Sequence, residues 1–151
     1  MSATGLDVFD KTVQTTNIWL KEIEQELGPD HHVAWHALGA VLRAVRDRMP
    51  VELAANFGAE LPLLVRGAFY DHFKPEHQPA TFREADAFLA LVAKELAGGR
   101  PVNTETAVHA VLGTVSHHVP AGALAKAREA MPKDVRRLWP EASAADAGPA
   151  H

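Results

Sequence analysis

The sequence predicts an all-α protein made of two similar four-helix units, each running long, long, short, short. Three observations predict it. Apolar residues recur in steps of three and four along most of the chain, as at Trp35, Leu38, Leu42, Val45 and Met49, which marks one face of a helix. No run alternates apolar and polar residues between turn signals, so no strand is expected. The stretch Ala37 to Phe69 also returns 70 residues later, as Ala107 to Trp139. Ten of the 33 ungapped pairs are identical, where ordinary residue usage gives roughly three. Pro50 and Pro62 recur at equal spacing as Pro120 and Pro132. That spacing favours duplication over the blander account, in which amphipathic helices merely resemble one another. With a one-residue shift, Trp19, Ile23, Glu26 and Leu27 match Phe88, Val92, Glu95 and Leu96.

The elements follow in order. The first helix runs from about Leu6 to Leu27, with Phe9, Val13, Thr16, Leu20, Ile23 and Leu27 as its inner stripe. Gly28-Pro29 ends it. Asp30 caps the second helix, which extends to about Arg48. Ala34, Ala37, Val41 and Ala44 widen its stripe beside the Trp35 row, so it should touch more than one neighbour. Pro50 and Pro62 suit the first positions of two short helices. These bury Leu53, Ala54 and Phe57, then Leu61, Leu64, Val65, Ala68 and Phe69. Thr81 with Glu84 forms a capping-box pattern that opens the fifth helix, with Ala85, Phe88, Leu89, Val92 and Leu96 inward. Asn103 caps the sixth, which runs to about His118 over Val108, Leu112, Val115 and Val119. Pro120 and Pro132 then repeat the short pair, closing at Trp139.

The expected organisation is one compact domain. Residues 1–73 form the first repeat, 74–80 a linker with two prolines, 81–140 the second repeat, and 141–151 a disordered tail. Its core is expected to hold Trp35, Leu38, Leu42, Val45, Leu61, Val65 and Phe69, with Val108, Leu112, Val115, Val135 and Trp139 as counterparts. Trp35→Ala should then cost about 3–5 kcal/mol.

Composition narrows the functions. A hydrophobic fraction of 47% suffices for a core, and a net charge of −4 disfavours non-specific nucleic-acid binding, which needs a basic face. With no cysteine there is no disulfide, thiolate nucleophile or Cys-based zinc site. No basic segment followed by an apolar run marks a secretory signal, and no apolar run approaches the ~20 residues that cross a bilayer. A cytoplasmic protein without membrane or nucleic-acid partners is the expectation.

The stretch from Ala34 to Phe73, the Lys74-Pro75 loop, the FLALVAKEL helix and the closing MPKDVRRLWP together resemble the bacterial domain of unknown function 2267 family. The similarity spans about Phe9 to Pro140. It is most specific at Leu42 to Arg48, Glu60 to Gly67 and Leu138-Trp139-Pro140. Phe69 to Phe73 stands where that family often has two tyrosines and a Trp. The resemblance implies a helical fold and no established activity.

Two constellations compete for function. Arg66 and Tyr70 lie four apart beside Asp71 and His72, with Arg43 and Arg46 on the preceding long helix. Arg and Tyr are enriched at binding hot spots, which suggests a surface for a protein partner or for self-association. Against this, Arg136 repeats Arg66, so a structural role in both halves competes. The alternative is a histidine-dependent metal or small-molecule binding protein or enzyme. His32 and His36, four apart on one helical face and flanked by Asp30 and His31, would carry it. Two imidazoles make at most half a closed tetrahedral shell, and no HExxH pattern is present. His117 and His118 suit the C-terminal carbonyls of their helix. No nucleophile elbow, phosphate-cradling glycine loop or di-iron carboxylate motif occurs. No cofactor or catalytic residue is expected, and a non-enzymatic interaction module leads.

Overall fold

The computed structural model describes residues 5–140. Among them are eight α-helices, one short 3-10 turn at Pro75–His77 and no strand. The first four helices are α1 (Asp7–Leu27), α2 (His31–Arg48), α3 (Val51–Gly58) and α4 (Leu63–Tyr70). The next four are α5 (Ala85–Leu96), α6 (Thr104–His118), α7 (Ala121–Ala130) and α8 (Lys133–Arg136). The tail at 141–151, expected to be disordered, lies outside the described residues.

Local chemistry sets most boundaries. The Asp30 carboxylate accepts from the N–H groups of His32 and Val33 at 3.0 and 3.1 Å, capping α2. Asn103 accepts from the Thr106 N–H at 2.9 Å, capping α6. Gly28 closes α1 with a φ of 109°, which L side chains rarely adopt. The four prolines stand one residue earlier than expected, as caps rather than first helical residues. Their φ values lie between −54 and −59° and their ψ values between 141 and 152°, so one elbow geometry occurs four times. Each proline carbonyl accepts the first helical bond, where the missing proline N–H costs nothing.

The fifth helix begins differently from the expectation. Its cap residue is Glu84, and neither Thr81 nor Glu84 supplies a side-chain cap. Instead the Asp134 carboxylate of α8 accepts from the Ala85 N–H at 2.6 Å. A group 49 residues away replaces the local box.

Packing centres on α2, which lies against α1, α4, α5 and α6. Ten of its eighteen residues are buried, as befits a helix enclosed nearly all round. α1 also rests on α6 and α4, α3 on α7, and α5 on α6 and α8. One apolar cluster runs through both halves of the chain, from Trp19 and Ile23 to Val135 and Trp139. Each fully buried Leu, Val or Phe in it stabilises the fold by about 1.5–3 kcal/mol. The segment between the halves is tied down: Gln78 Nε2 donates to the Arg46 and Met49 carbonyls, both at 2.6 Å, and the Ala80 N–H donates to the Asp47 carbonyl at 2.6 Å.

The expected core is buried except at Trp35, which is 39% exposed. Trp35 sits in the second turn of α2, at the edge of the arc defined by Ala34, Leu38, Val41 and Val45. Trp19 is buried instead, as is Trp139, and Trp19 stacks on the His118 ring at 5.2 Å. Truncating Trp35 therefore removes less packing than the full burial expected from its place in the stripe. Phe9, Val13 and Leu64 are likewise exposed rather than inward. His118, the last residue of α6, stacks on Trp19 and pairs with Glu22 in the second half of α1.

Candidate functional site

Most of the arginine–tyrosine corner is bonded within the chain. Arg43 donates from Nε to the Glu95 carboxylate at 2.9 and 3.2 Å, and from Nη1 to the Ala68 carbonyl at 2.9 Å. It does not pair with Asp47, its neighbour one turn on. A side chain at Gly39 would come within 2.7 Å of that guanidinium, so the glycine leaves room for it. Arg46 is only 3% exposed. It donates to the carbonyls of Phe69 and Asp71 at 2.8 and 2.7 Å and to Asp47 at 2.9 Å, with its guanidinium 5.0 Å from the Phe73 ring centre. These bonds satisfy carbonyls that the end of α4 leaves unpaired.

Arg66 performs the same service for α3, donating to the carbonyls of Gly58, Ala59 and Leu61 at 3.0, 3.1 and 3.0 Å. Tyr70 lies over Gly58, where an added Cβ would meet the phenol oxygen at 2.5 Å. Its hydroxyl donates to the Ala55 carbonyl at 3.4 Å. Asp71 and His72 remain at the surface, 3.6 Å from each other, with His72 at a φ of 59°.

The histidine cluster divides. Asp30, His32 and His36 line one cleft of about 430 Å³ together with Leu96, Gly99 and Arg100. Arg100 Nη1 is 2.7 Å from the Asp30 carboxylate. The Val33 N–H holds the Asp30 carboxyl below its ordinary value, helped by Arg100 and the His32 N–H and opposed by partial desolvation. His31 turns away and bonds Glu24. Among the described residues, no three His, Cys, Asp or Glu side chains converge as a metal-binding set.

Two features escaped sequence reasoning. The α6 histidines pair with glutamates on α1: His109 with Glu26 at 2.8 Å, and His117 and His118 with Glu22. The expected role of His117 and His118 at their own helix end gives way to this contact. Glu22 and Glu26 lie four apart on α1, but nothing local links them to residues 83 to 96 positions on.

The second missed feature is a groove of about 410 Å³ between the first turns of α1 and the α3–α4 connection. Val8, Lys11, Thr15 and Trp19 form one wall, and Glu60, Leu61, Pro62 and Leu63 the other. The Leu64 N–H donates to Thr12 Oγ1 at 3.3 Å, holding the two walls together. Val8 is 59% and Leu63 49% exposed, with Phe9, Val13 and Leu64 exposed nearby. A signal existed in Leu63-Leu64: adjacent helix positions point 100° apart, and Val65, Ala68 and Phe69 already fill the inner face.

Fold and surface thus define an all-helical protein with an arginine-bonded corner, a histidine cleft and an apolar groove. The chain matches the family model described as "Uncharacterized conserved protein (DUF2267)" over residues 16–138, and it belongs to that family. No curated protein matches it. No helix among the described residues is long and apolar enough to cross a membrane.

Proposed function

We propose that the protein is a non-enzymatic helical module that docks a polypeptide on the shelf formed by the first turns of α1 and the start of α4. The observation that carries this reading is the set of exposed apolar side chains on these two segments, Val8, Phe9, Val13, Leu63 and Leu64, of which Val8 and Leu63 line the groove. Single exposed apolar residues are ordinary, whereas contiguous ones mark interaction sites. The shelf replaces the Arg66 to His72 corner as the preferred surface, because Arg43, Arg46 and Arg66 are committed to backbone carbonyls. The proposed setting is the cytoplasm, without nucleic acid, in keeping with the net charge of −4.

The test is affinity capture from the native cell with wild type, Leu63→Asp and His36→Ala. A specific partner lost only in Leu63→Asp supports the module. Capture indifferent to Leu63→Asp overturns it. An Arg66→Ala/Tyr70→Ala variant is a poorer probe, since it strips α3 of its C-terminal bonds. A second reading rests on the histidine cleft, which His32 and His36 line together with Asp30. Stoichiometric zinc or nickel in untagged protein, lost in His36→Ala, would promote that reading.

A further inference from the structure

We propose that the groove between α1 and the α3–α4 connection is a self-complementary interface, and that its occupant is a second copy of this chain. The inference rests on the interaction-module reading and names the partner. Lys11 stands on the α1 wall and Glu60 on the opposite wall. Neither side chain has a hydrogen bond or ion pair among the described residues. The rest of the lining is mixed: Val8, Trp19, Leu61, Pro62 and Leu63 are apolar, and Thr12, Thr15 and His118 are polar.

A closed dimer presents the same patch on both subunits, so the patch must complement itself. A two-fold axis running along the groove lays the α1 wall of one copy over the α3–α4 wall of the other. Lys11 then meets Glu60 of the second copy, and by symmetry Glu60 meets its Lys11. Two unlike-charge contacts flank a strip in which the Val8 rim faces the Leu63 rim. Walls of like charge would repel in this arrangement. A different protein would need its own matched pair of charges at this spacing, and a second copy already carries it. The patch is small, so the dimer falls in the weak class, which buries less than about 1,200 Å² in all.

The experiment is sedimentation equilibrium of the full chain from about 1 μM to about 1 mM, a range that covers weak dimers. Wild type should pass from monomer to dimer within it. Lys11→Glu and Glu60→Lys each turn two attractive contacts into repulsive ones, so each should weaken dimerisation by about tenfold or more. The double variant Lys11→Glu/Glu60→Lys restores unlike charges and should return the dimer to within about threefold of wild type. Leu63→Asp should abolish the dimer with an unchanged circular dichroism spectrum. Wild type that stays monomeric throughout, or a double swap that fails to rescue, overturns the proposal. If wild type is monomeric but Leu63→Asp still loses a captured partner, self-association falls and the module reading stands. If Leu63→Asp changes neither, both fall.

Discussion

Phe69, at the end of α4, and Trp139, just beyond α8, pair at the 70-residue offset of the sequence and are both buried. Around Phe69 the corner is bound by cations. Arg43 and Arg46 reach from α2 to the carbonyls of Ala68, Phe69 and Asp71, and α4 runs for eight residues. Around Trp139 the corresponding positions on α6 are Gly113 and Ser116. The Ser116 hydroxyl donates to the Leu112 carbonyl in its own helix, a Cβ added at Gly113 would meet Pro140 at 3.6 Å, and α8 has only four residues. One bond is common to both corners: Arg66 donates to Leu61, and Arg136 donates to Met131 at 3.1 Å. The second half adds a tie of its own, the Asp134 carboxylate on the Ala85 N–H. The difference teaches that an apolar skeleton and proline elbows suffice to place the short helices. Polar clamps are added separately and differ between the two corners.

The largest expected effect tests what the halves share. Phe69→Ala and Trp139→Ala should each lower stability by about 3–5 kcal/mol in urea unfolding. A small cost at Trp139 alone would show that the second corner is not part of the common core.

A smaller effect tests what they do not share. Arg46→Ala leaves buried carbonyls of α4 unpaired and should cost about 1–3 kcal/mol. Ser116→Ala, at the corresponding position, should stay within about 0.5 kcal/mol. Equal costs would dissolve the contrast between a clamped and an unclamped corner.

The smallest effect is electrostatic and confined to the second half. The Ala85 N–H, then Arg137, hold the Asp134 carboxyl below its ordinary value, with desolvation opposing them. A depressed carboxyl contributes stability that is fully present above its unfolded value and is lost as pH falls through the folded one. Protection of the amides at the first turn of α5, taken as exchange relative to the unstructured rate at each pH, should therefore fall in acid, below the ordinary aspartate range. In Asp134→Asn that protection should already be low at neutral pH and change less across that window. An acid response unaltered by the substitution would remove Asp134 as the cause.

The sequence by itself determined the helices, the four proline elbows, the caps at Asp30 and Asn103, and nearly all of the core. Each of these depends on groups within about four positions along the chain, or on a periodicity that the helix itself imposes. Tertiary structure decided the rest. Trp19 is buried and Trp35 is not, because burial depends on where neighbouring helices stop, which no local pattern records. Arg46 and Asp134 found carbonyl and amide partners 23 to 49 residues away. The groove that carries the functional proposal forms where α1 meets the start of α4, two segments about 50 residues apart in the chain.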